Sequence, residues 1–560
     1  MKQKSTNIAA ALPAMAALQP DKMAIAWSDG RGGFSERTFR ELDEDSGRLA
    51  AALTAYGITR GTRTVLMVPP SLDFFALTFA LFKAGIVPVM VDPGMGLKSL
   101  KACLAEAEPE AFIGIPKAHA ARIALGWGKD TIRLRVTAGR RLFWSGTTVA
   151  KLRVRTWKQP ARITPTESMP PPESMDPVET SVDDIAAILF TSGSTGVPKG
   201  AVYTHGNFLT QVKLLRETYG IEPGEIDLPT FPLFALFDPA LGMSAVIPEM
   251  DPTRPANVDP KKIINAIQRY GVTNTFASPA LLHRVGSYGA SHDVKLPTLR
   301  RVISAGAPVQ SGVLERFSRM LPDGTEIHTP YGATEALPVS SMGSRSILAE
   351  TAAETQLGRG VCVGLPVAHT EVRVIGIDDE PIPTWSNDLE SPAGEIGEFA
   401  VKGSQVTRSY YGQDASTALA KIVDPEGGFW HRMGDIGYVD ECGRLWFCGR
   451  KAHRVELESE TLYSVQCEGI FNAHIDVYRT AVVGVPRDGY TLPVLCVELR
   501  GNSTADRTKT EAELRATAAG NELTCSIDTF LFHKDFPVDT RHNAKIFREK
   551  LAVWAASQLS

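Results

Sequence analysis

Between Asp259 and Pro330 the chain alternates between short apolar runs and helical text, and this alternation constrains the fold more than any other feature. In DPKKIINAIQRYG, Asp259 can cap a helix, Pro260 suits its first position and Gly271 stops it. VTNTFAS then reads as a buried strand and Ser278-Pro279 opens the helical ALLHRV. LRRVISAG supplies a second strand, PVQSGVLERFSRML a second helix and TEIHTP a third strand. Strands separated by helices pair in parallel, because a helical crossover returns the chain to the same end of the sheet. The predicted class is α/β, with parallel sheets flanked by helices.

At 560 residues, 43% of them hydrophobic, the chain has material for several cores, so more than one domain is expected. From about residue 450 the elements shorten: AVVGV and PVLCVELR read as strands, 508–519 as a polar helix, and TFLFHKDFPVD follows. A division into 1–450 and a small α+β unit, 451–560, fits this change. Residues 156–184, rich in Pro, Ser, Thr and acids, read as a long surface loop.

Charge narrows the partners. Lysine plus arginine number 59 against 63 acids, a net charge of −4, so no overall basic field attracts nucleic acid or an anionic membrane. A small molecule or a protein is expected instead. The seven cysteines are scattered without a CxxC pair, which fits reduced thiols in the cytoplasm better than a disulfide framework or structural zinc. The opening MKQKSTNIAAALPAMAAL is alanine-rich, but its short apolar run and Pro13 argue against an export signal. No stretch approaches the ~18 uninterrupted apolar residues of a spanning helix, so a soluble cytoplasmic protein is predicted.

The most informative short segment is LFTSGSTGVPKG, 189–200, directly after the apolar AAIL. A glycine- and hydroxyl-rich loop after a buried strand offers backbone N–H groups to an anion, and a nearby lysine adds a point charge. A polyphosphate is the natural guest. In the Walker loop Gly directly precedes Lys, whereas here Pro198 precedes Lys199 and Gly200 follows it, so this is not a P-loop NTPase. GxSxG is absent as well, which disfavours an α/β serine hydrolase. A flexible Ser/Gly linker is the bland alternative, and the preceding strand argues against it.

TSGSTGVPKG resembles the phosphate loop of the adenylate-forming superfamily, which includes acyl-CoA synthetases, peptide-synthetase adenylation domains and luciferases. SAGAP (304–308), YGATE (331–335), GEIGEFAVKG (394–403), MGDIGY (433–438), GRKAH (449–453) and PVDTRHNAKIFR (537–548) agree with that family's further signatures, in its order. The resemblance covers nearly the whole chain. It implies a large N-terminal domain of several subdomains holding the acid and ATP sites, followed by a small mobile C-terminal domain. It further implies that Thr191, Ser192, Gly193, Ser194, Thr195 and Gly196 hold the β and γ phosphates of ATP with Lys199. Gly306, Ala307 and Pro308 would pass along the adenine, with Tyr331 stacking on it and Gly332 beside it. Thr334 would meet the α-phosphate, and Glu335, a hard oxygen ligand, would hold Mg²⁺. Asp435 would accept the ribose hydroxyls with Arg450 donating nearby, and Lys545 would stabilise charge developing during adenylation. Singly, each of these residues is more often solvated surface or core; as an ordered set they are not.

The C-terminal text departs from the family pattern. Counting without gaps from Gly449, His453 stands at the hinge where relatives carry Asp, Glu456 where a Lys is usual and Ser459 where a turn glycine is usual. Glu456, Glu458 and Glu460 alternate, as three charges on one strand face would, and such a face repels CoA; taken alone a merely solvated edge is the better reading, and the simultaneous loss of hinge Asp, Lys and Gly favours a changed second step. In FPLFALFDPALG, Ala235 replaces the histidine of PLFH, while Phe234 and Phe237 suit either an acyl pocket or plain core packing. Ala544 replaces a common glycine.

These departures resemble the β-lactone synthetases of bacterial long-chain olefin biosynthesis. That resemblance implies a long-chain 2-alkyl-3-hydroxyalkanoic acid substrate whose own tethered hydroxyl captures the adenylate, and contact with neighbouring enzymes of that pathway. A long-chain fatty acyl-CoA ligase with a divergent C-terminal domain is the competing expectation. An inactive scaffold is a third, against which the presence of Lys199, Glu335, Asp435 and Lys545 argues.

Overall fold

In the computed structural model, which describes residues 6–91, 95–154, 174–191, 198–231, 234–487, 489–501, 506–539 and 545–559, the Asp259 helix forms as expected. The Asp259 carboxylate accepts the Lys261 N–H at 3.0 Å, the helix runs Pro260–Tyr270, and Gly271 ends it at a φ of 60°. Ile263, Ile264, Ala266 and Ile267 bury one face of it on the sheet. The expected parallel ladder is present: Asn274–Ala277 pairs with Arg301–Ser304, which pairs with Glu326–Ala333. On the other flank, Ile226–Pro229, Ser244–Ile247 and Met23–Ser28 continue it in parallel.

Beyond Glu326–Ala333 the direction changes. The strand Ala336–Gly343 returns antiparallel and passes the sheet on through Val361–Pro366 to Leu445–Arg450, Phe429–Val439, Gly397–Lys402 and Glu371–Ile375. A second sheet holds Thr147–Thr148, Leu134–Thr137, Ala111–Gly114, Arg63–Met67, Val87–Val91 and Ile185–Thr191 in parallel, with Lys199–Thr204 added antiparallel at its edge. The helices Phe39–Tyr56, Leu72–Lys83 and His205–Tyr219 share one core with both sheets, in which Leu49, Phe75, Tyr203, Ala187 and Ala245 meet. That core brings the edge strand Lys199–Thr204 against the first sheet's loops, where Ala201 bridges to Tyr410.

Within 156–184, residues 156–173 lie outside the described residues, and 174–184 carry no helix or strand and are exposed or half-buried. Met175 donates its N–H to the Gly47 carbonyl at 3.2 Å and Val178 to the Lys83 carbonyl at 2.8 Å, which pins the segment to two helices. One expectation changes: the three alternating glutamates do not share a strand face. Val455–Glu456 and Thr461–Leu462 form a two-stranded hairpin whose turn contains Glu458, and Leu457 donates to the Glu460 carbonyl at 2.9 Å to close it. Glu456 is moreover 2.9 Å from Arg454, a guanidinium that it shares with Asp379.

After Arg450 the chain is α+β, as read from the sequence. Val477–Arg487 and Tyr490–Leu499 form an antiparallel pair that Thr529–Phe532 joins in parallel, and Ser464–Phe471, Arg507–Ala519 and Arg548–Gln558 are its helices. At the other end, the alanine-rich ALPAMAAL is an eight-residue helix with Leu12 fully buried. No helix among the described residues is long and apolar enough to cross a membrane.

Candidate active site

The strand Ile185–Thr191 delivers one end of the glycine- and hydroxyl-rich loop, and Lys199–Thr204 takes up the other, with Thr191 opposite Lys199 in the ladder. Ser192, Gly193, Ser194, Thr195 and Gly196 lie outside the described residues, as does the side chain of Thr191. Lys199 faces a cavity of about 620 Å³ whose wall also includes Gly306, Tyr331, Gly332, Thr334, Glu335, Arg450 and Lys545. Motifs separated by more than three hundred residues therefore meet at one opening. Ala307 and Pro308 follow Gly306, which turns at a φ of 95° past the strand Arg301–Ser304, and lie outside that wall.

Asp435 is placed by strand register. It stands opposite Arg450 in the ladder between Phe429–Val439 and Leu445–Arg450, with the guanidinium 3.0 Å from its Oδ1. Tyr331 donates its hydroxyl to Oδ2 of Asp435 at 2.6 Å. Burial raises the Asp435 carboxyl above its ordinary range and Arg450 works against that rise; burial, then Asp435, pushes the Tyr331 phenol well up. Asp435 itself is 2% exposed and is not part of the cavity wall, whereas its partners Tyr331 and Arg450 are, so the expected direct acceptance of ribose hydroxyls by Asp435 is not what this arrangement displays.

Glu335 is held differently. Its carbonyl accepts the Thr407 N–H at 2.9 Å and its Oε1 accepts the Tyr410 hydroxyl at 2.9 Å, while Lys199 Nζ sits 5.1 Å from the centroid of the Tyr410 ring. The Thr334 carbonyl accepts from the Tyr203 hydroxyl. Among the described residues no three potential metal ligands gather, so an ion at Glu335 would rely on that carboxylate and on ligand oxygens. A single carboxylate completed by phosphate oxygens and water is how Mg²⁺ is ordinarily carried, and Glu335 fits that use.

The segment 540–544 is outside the described residues, but its flanks fix Lys545. Val538 bridges to Ile546, and Asp539 donates its N–H to the Lys545 carbonyl at 2.9 Å, which brings Lys545 to the cavity beside Arg450 and Lys451. His453 ends the single turn Lys451–His453 that follows Arg450, outside the wall. Its Nε2 is 3.3 Å from Glu549, and burial, with Arg548 nearby, pulls the imidazole down to about 4.

Phe234 and Phe237 line the lower cavity. Phe234 stacks on Phe276 at 3.6 Å between centroids, and Phe237 meets Phe208 edge-on at 6.0 Å. These rings wall an apolar chamber that continues past Phe82, Leu215 and Met243.

Sequence reasoning missed Tyr203, Tyr410, Lys421 and His431. Lys421 is buried and donates to the Thr407 carbonyl, and burial lowers its ammonium to about 7 against the pull of Glu335. His431 contacts the Ala420 carbonyl at 3.1 Å and is kept neutral by burial and then by Lys421. The available signal was a lone cation in the apolar ALAKIV, which names no partner.

A family profile described as AMP-binding enzyme matches residues 12–411. Over 99% of its length the chain is 50% identical to an olefin beta-lactone synthetase of Stenotrophomonas maltophilia, covering 98% of that protein. It is 49% identical, again over 99% of its length, to the olefin beta-lactone synthetase of Xanthomonas campestris, covering 98% of it. Among solved structures, the anthranilate CoA ligase AuaEII in complex with anthranoyl-AMP superposes with a TM-score of 0.79 at 18% identity, covering 100% of this chain and 98% of the other. That last likeness concerns the fold.

Proposed function

The chain belongs to the AMP-binding enzyme family, and from that premise we propose that it is an ATP-dependent β-lactone synthetase acting on 2-alkyl-3-hydroxyalkanoic acids. The observation that carries this reading is the single cavity in which Lys199, Thr334, Glu335, Arg450 and Lys545 stand over an aromatic-lined apolar chamber. The nucleotide lies along Gly306 and Tyr331, with Arg450 and the Asp435–Tyr331 pair at its ribose, and the acyl chains occupy the chamber beneath.

In the first step a carboxylate oxygen of the acid attacks the α-phosphorus, the bond to the β-phosphate breaks, and pyrophosphate leaves. Lys545 places an ammonium where negative charge accumulates, and Lys199 and the loop beside it hold the departing phosphates. Mg²⁺, held by Glu335, would neutralise phosphate charge. In the second step the 3-hydroxyl oxygen attacks the activated carbonyl carbon, the carbon–oxygen bond to AMP breaks, and AMP and the hydroxyl proton are released. The nucleophile is part of the substrate, so proximity replaces a second bound reactant. The hairpin at Glu456, without the usual lysine and turn glycine, has no pantetheine to guide. Enzymes that make the hydroxy acid and consume the lactone must operate beside it.

The test is product analysis with and without CoA. Lactone, AMP and pyrophosphate formed at equal rates in both reactions are expected. AMP release that requires CoA and yields a thioester would overturn the reading in favour of an acyl-CoA ligase.

A further inference from the structure

The apolar chamber ends on two acids. Asp227 lies on the strand Ile226–Pro229, and Asp238 opens the short helix Asp238–Leu241, which packs on the neighbouring strand Ser244–Ile247. Both line the cavity and both are 2% exposed. They hydrogen-bond to one another, and burial together with the opposing carboxylate holds a proton in the pair well above the usual range. Asp227 is further anchored: the Asn274 amide donates to its Oδ1, and Arg301 reaches Asn274 Oδ1 at 3.4 Å and Glu225 Oε2 at 2.8 Å. Asp238 is not anchored in this way; its side-chain partner is Asp227.

Strand register gives the depth of this pair. Asp227 stands opposite Asn274, whereas the nucleotide-side end of the sheet is at Ala277, opposite Ser304, just before Gly306. Three strand residues correspond to ~10 Å, so the acids lie about that far beneath the level at which the carboxylate is activated. The 3-hydroxyl, next to the reacting carbonyl, does not reach them; the far end of an alkyl chain does.

We propose that Asp227 and Asp238 form a polar floor to the acyl chamber and select substrates by alkyl chain length. This rests on the acyl-acid reading given above. A chain that stops short of Asp238 gains the apolar wall of Phe208, Phe237 and Met243, each further methylene adding to its hold. A chain that reaches the floor sets a methyl group against the polar acid pair and displaces water from it, so it loses what the extra length gained. A purely structural acid pair would behave differently, since its removal would weaken every substrate alike.

The experiment measures kcat/KM for pyrophosphate release over a ladder of 2-alkyl-3-hydroxy acids of increasing chain length. Wild type is compared with Asp238→Leu, Asp238→Ala and Asp238→Asn, with folding checked by thermal melting and ATP binding. The expected result is a rise of about tenfold in the ratio of longest to shortest substrate for Asp238→Leu, and a ratio within about twofold of wild type for Asp238→Asn, which keeps a polar floor. Asp238→Ala, which removes the carboxyl and adds no bulk, carries the same expectation should the leucine variant fail to fold. An unchanged ratio in a folded apolar variant, or an equal loss at all lengths, overturns the floor while leaving the synthetase reading intact. No pyrophosphate release by wild type from any member of the ladder overturns both.

Discussion

Lys545 illustrates what a residue contributes when it is positioned for the transition state. It reaches from the C-terminal unit the cavity that Thr334 and Glu335 also line; in the proposed reaction, negative charge would build there. Replacing it with alanine removes stabilisation that is small in the ground state and large at the barrier. Lys545→Ala is therefore expected to lower acid-driven ATP/pyrophosphate exchange by roughly 10²–10³-fold while leaving ATP affinity within a few-fold, as read by exchange kinetics and equilibrium binding. Exchange at the wild-type rate would remove Lys545 from the mechanism. At this scale the sequence named, in its long motifs, residues that the fold gathers, Tyr331 and Arg450 on the cavity wall with Asp435 paired to both. It was silent on contacts made across distance: Tyr410 lies 75 positions from the Glu335 that it holds, and nothing in RSYYG names that partner.

The helix His205–Tyr219 shows how an element can carry a pH response. Thr204 and Asn207 form a reciprocal cap at its start, and His205, 1% exposed, accepts the Ile8 N–H on its Nδ1 at 3.2 Å. That bond needs the neutral ring. Burial lowers the imidazole to about 4, with Asp184 resisting and Arg60 assisting, and the positive end of the helix dipole also disfavours charge here. The unfolded chain takes up the proton near pH 6.5 and the folded chain near pH 4. Stability from this group is full above about pH 6.5 and falls as pH drops from there towards 4. His205→Gln, which does not titrate, should be less stable than wild type at pH 7, and the gap in unfolding free energy should narrow on acidification through that window. A gap independent of pH would mean that His205 takes up its proton at the same pH in the folded and the unfolded chain. Elements with strong end signals, such as Pro260–Tyr270 between Asp259 and Gly271, were legible. The hairpin at Glu456–Thr461 was not, because alternating glutamates suit a strand and a turn flanked by two short strands alike, and only the Arg454–Glu456 pair and the Leu457–Glu460 closure decide between them.

The whole molecule is divided by its cores. Among the described residues, the buried clusters of the large unit reach Trp446 and go no further, while those of the small unit begin at Val455 and use Val477, Phe471, Ala481, Leu551 and their neighbours. No buried cluster mixes the two, which is why a change in element length near residue 450 was visible in the text. The order of strands was not visible: parallel pairing follows from crossovers, but the passage of one sheet from parallel Glu326–Ala333 to the antiparallel run ending at Glu371–Ile375 depends on packing. The buried ion pair of Arg432 and Glu398, 2.7 Å apart, belongs wholly to the large unit, and Lys451 only adds a third contact at 3.1 Å. Cutting the chain after Arg450 therefore keeps that pair, the Asp435–Arg450 ladder and the cavity walls up to Arg450, and removes Lys451 and Lys545. Residues 1–450 alone should unfold cooperatively at a temperature below that of the full chain, since the strand Leu445–Arg450 loses the helix Ser464–Phe471 that covers it. ATP should bind within about tenfold of the full chain if the groups proposed to face the nucleotide hold it, and exchange should be lost if Lys545 acts, as proposed, at the barrier. Calorimetry, equilibrium binding and exchange on the same fragment separate these outcomes. A fragment that binds ATP and still exchanges would place adenylation entirely within residues 1–450, and the C-terminal unit would then have to act after the adenylate has formed.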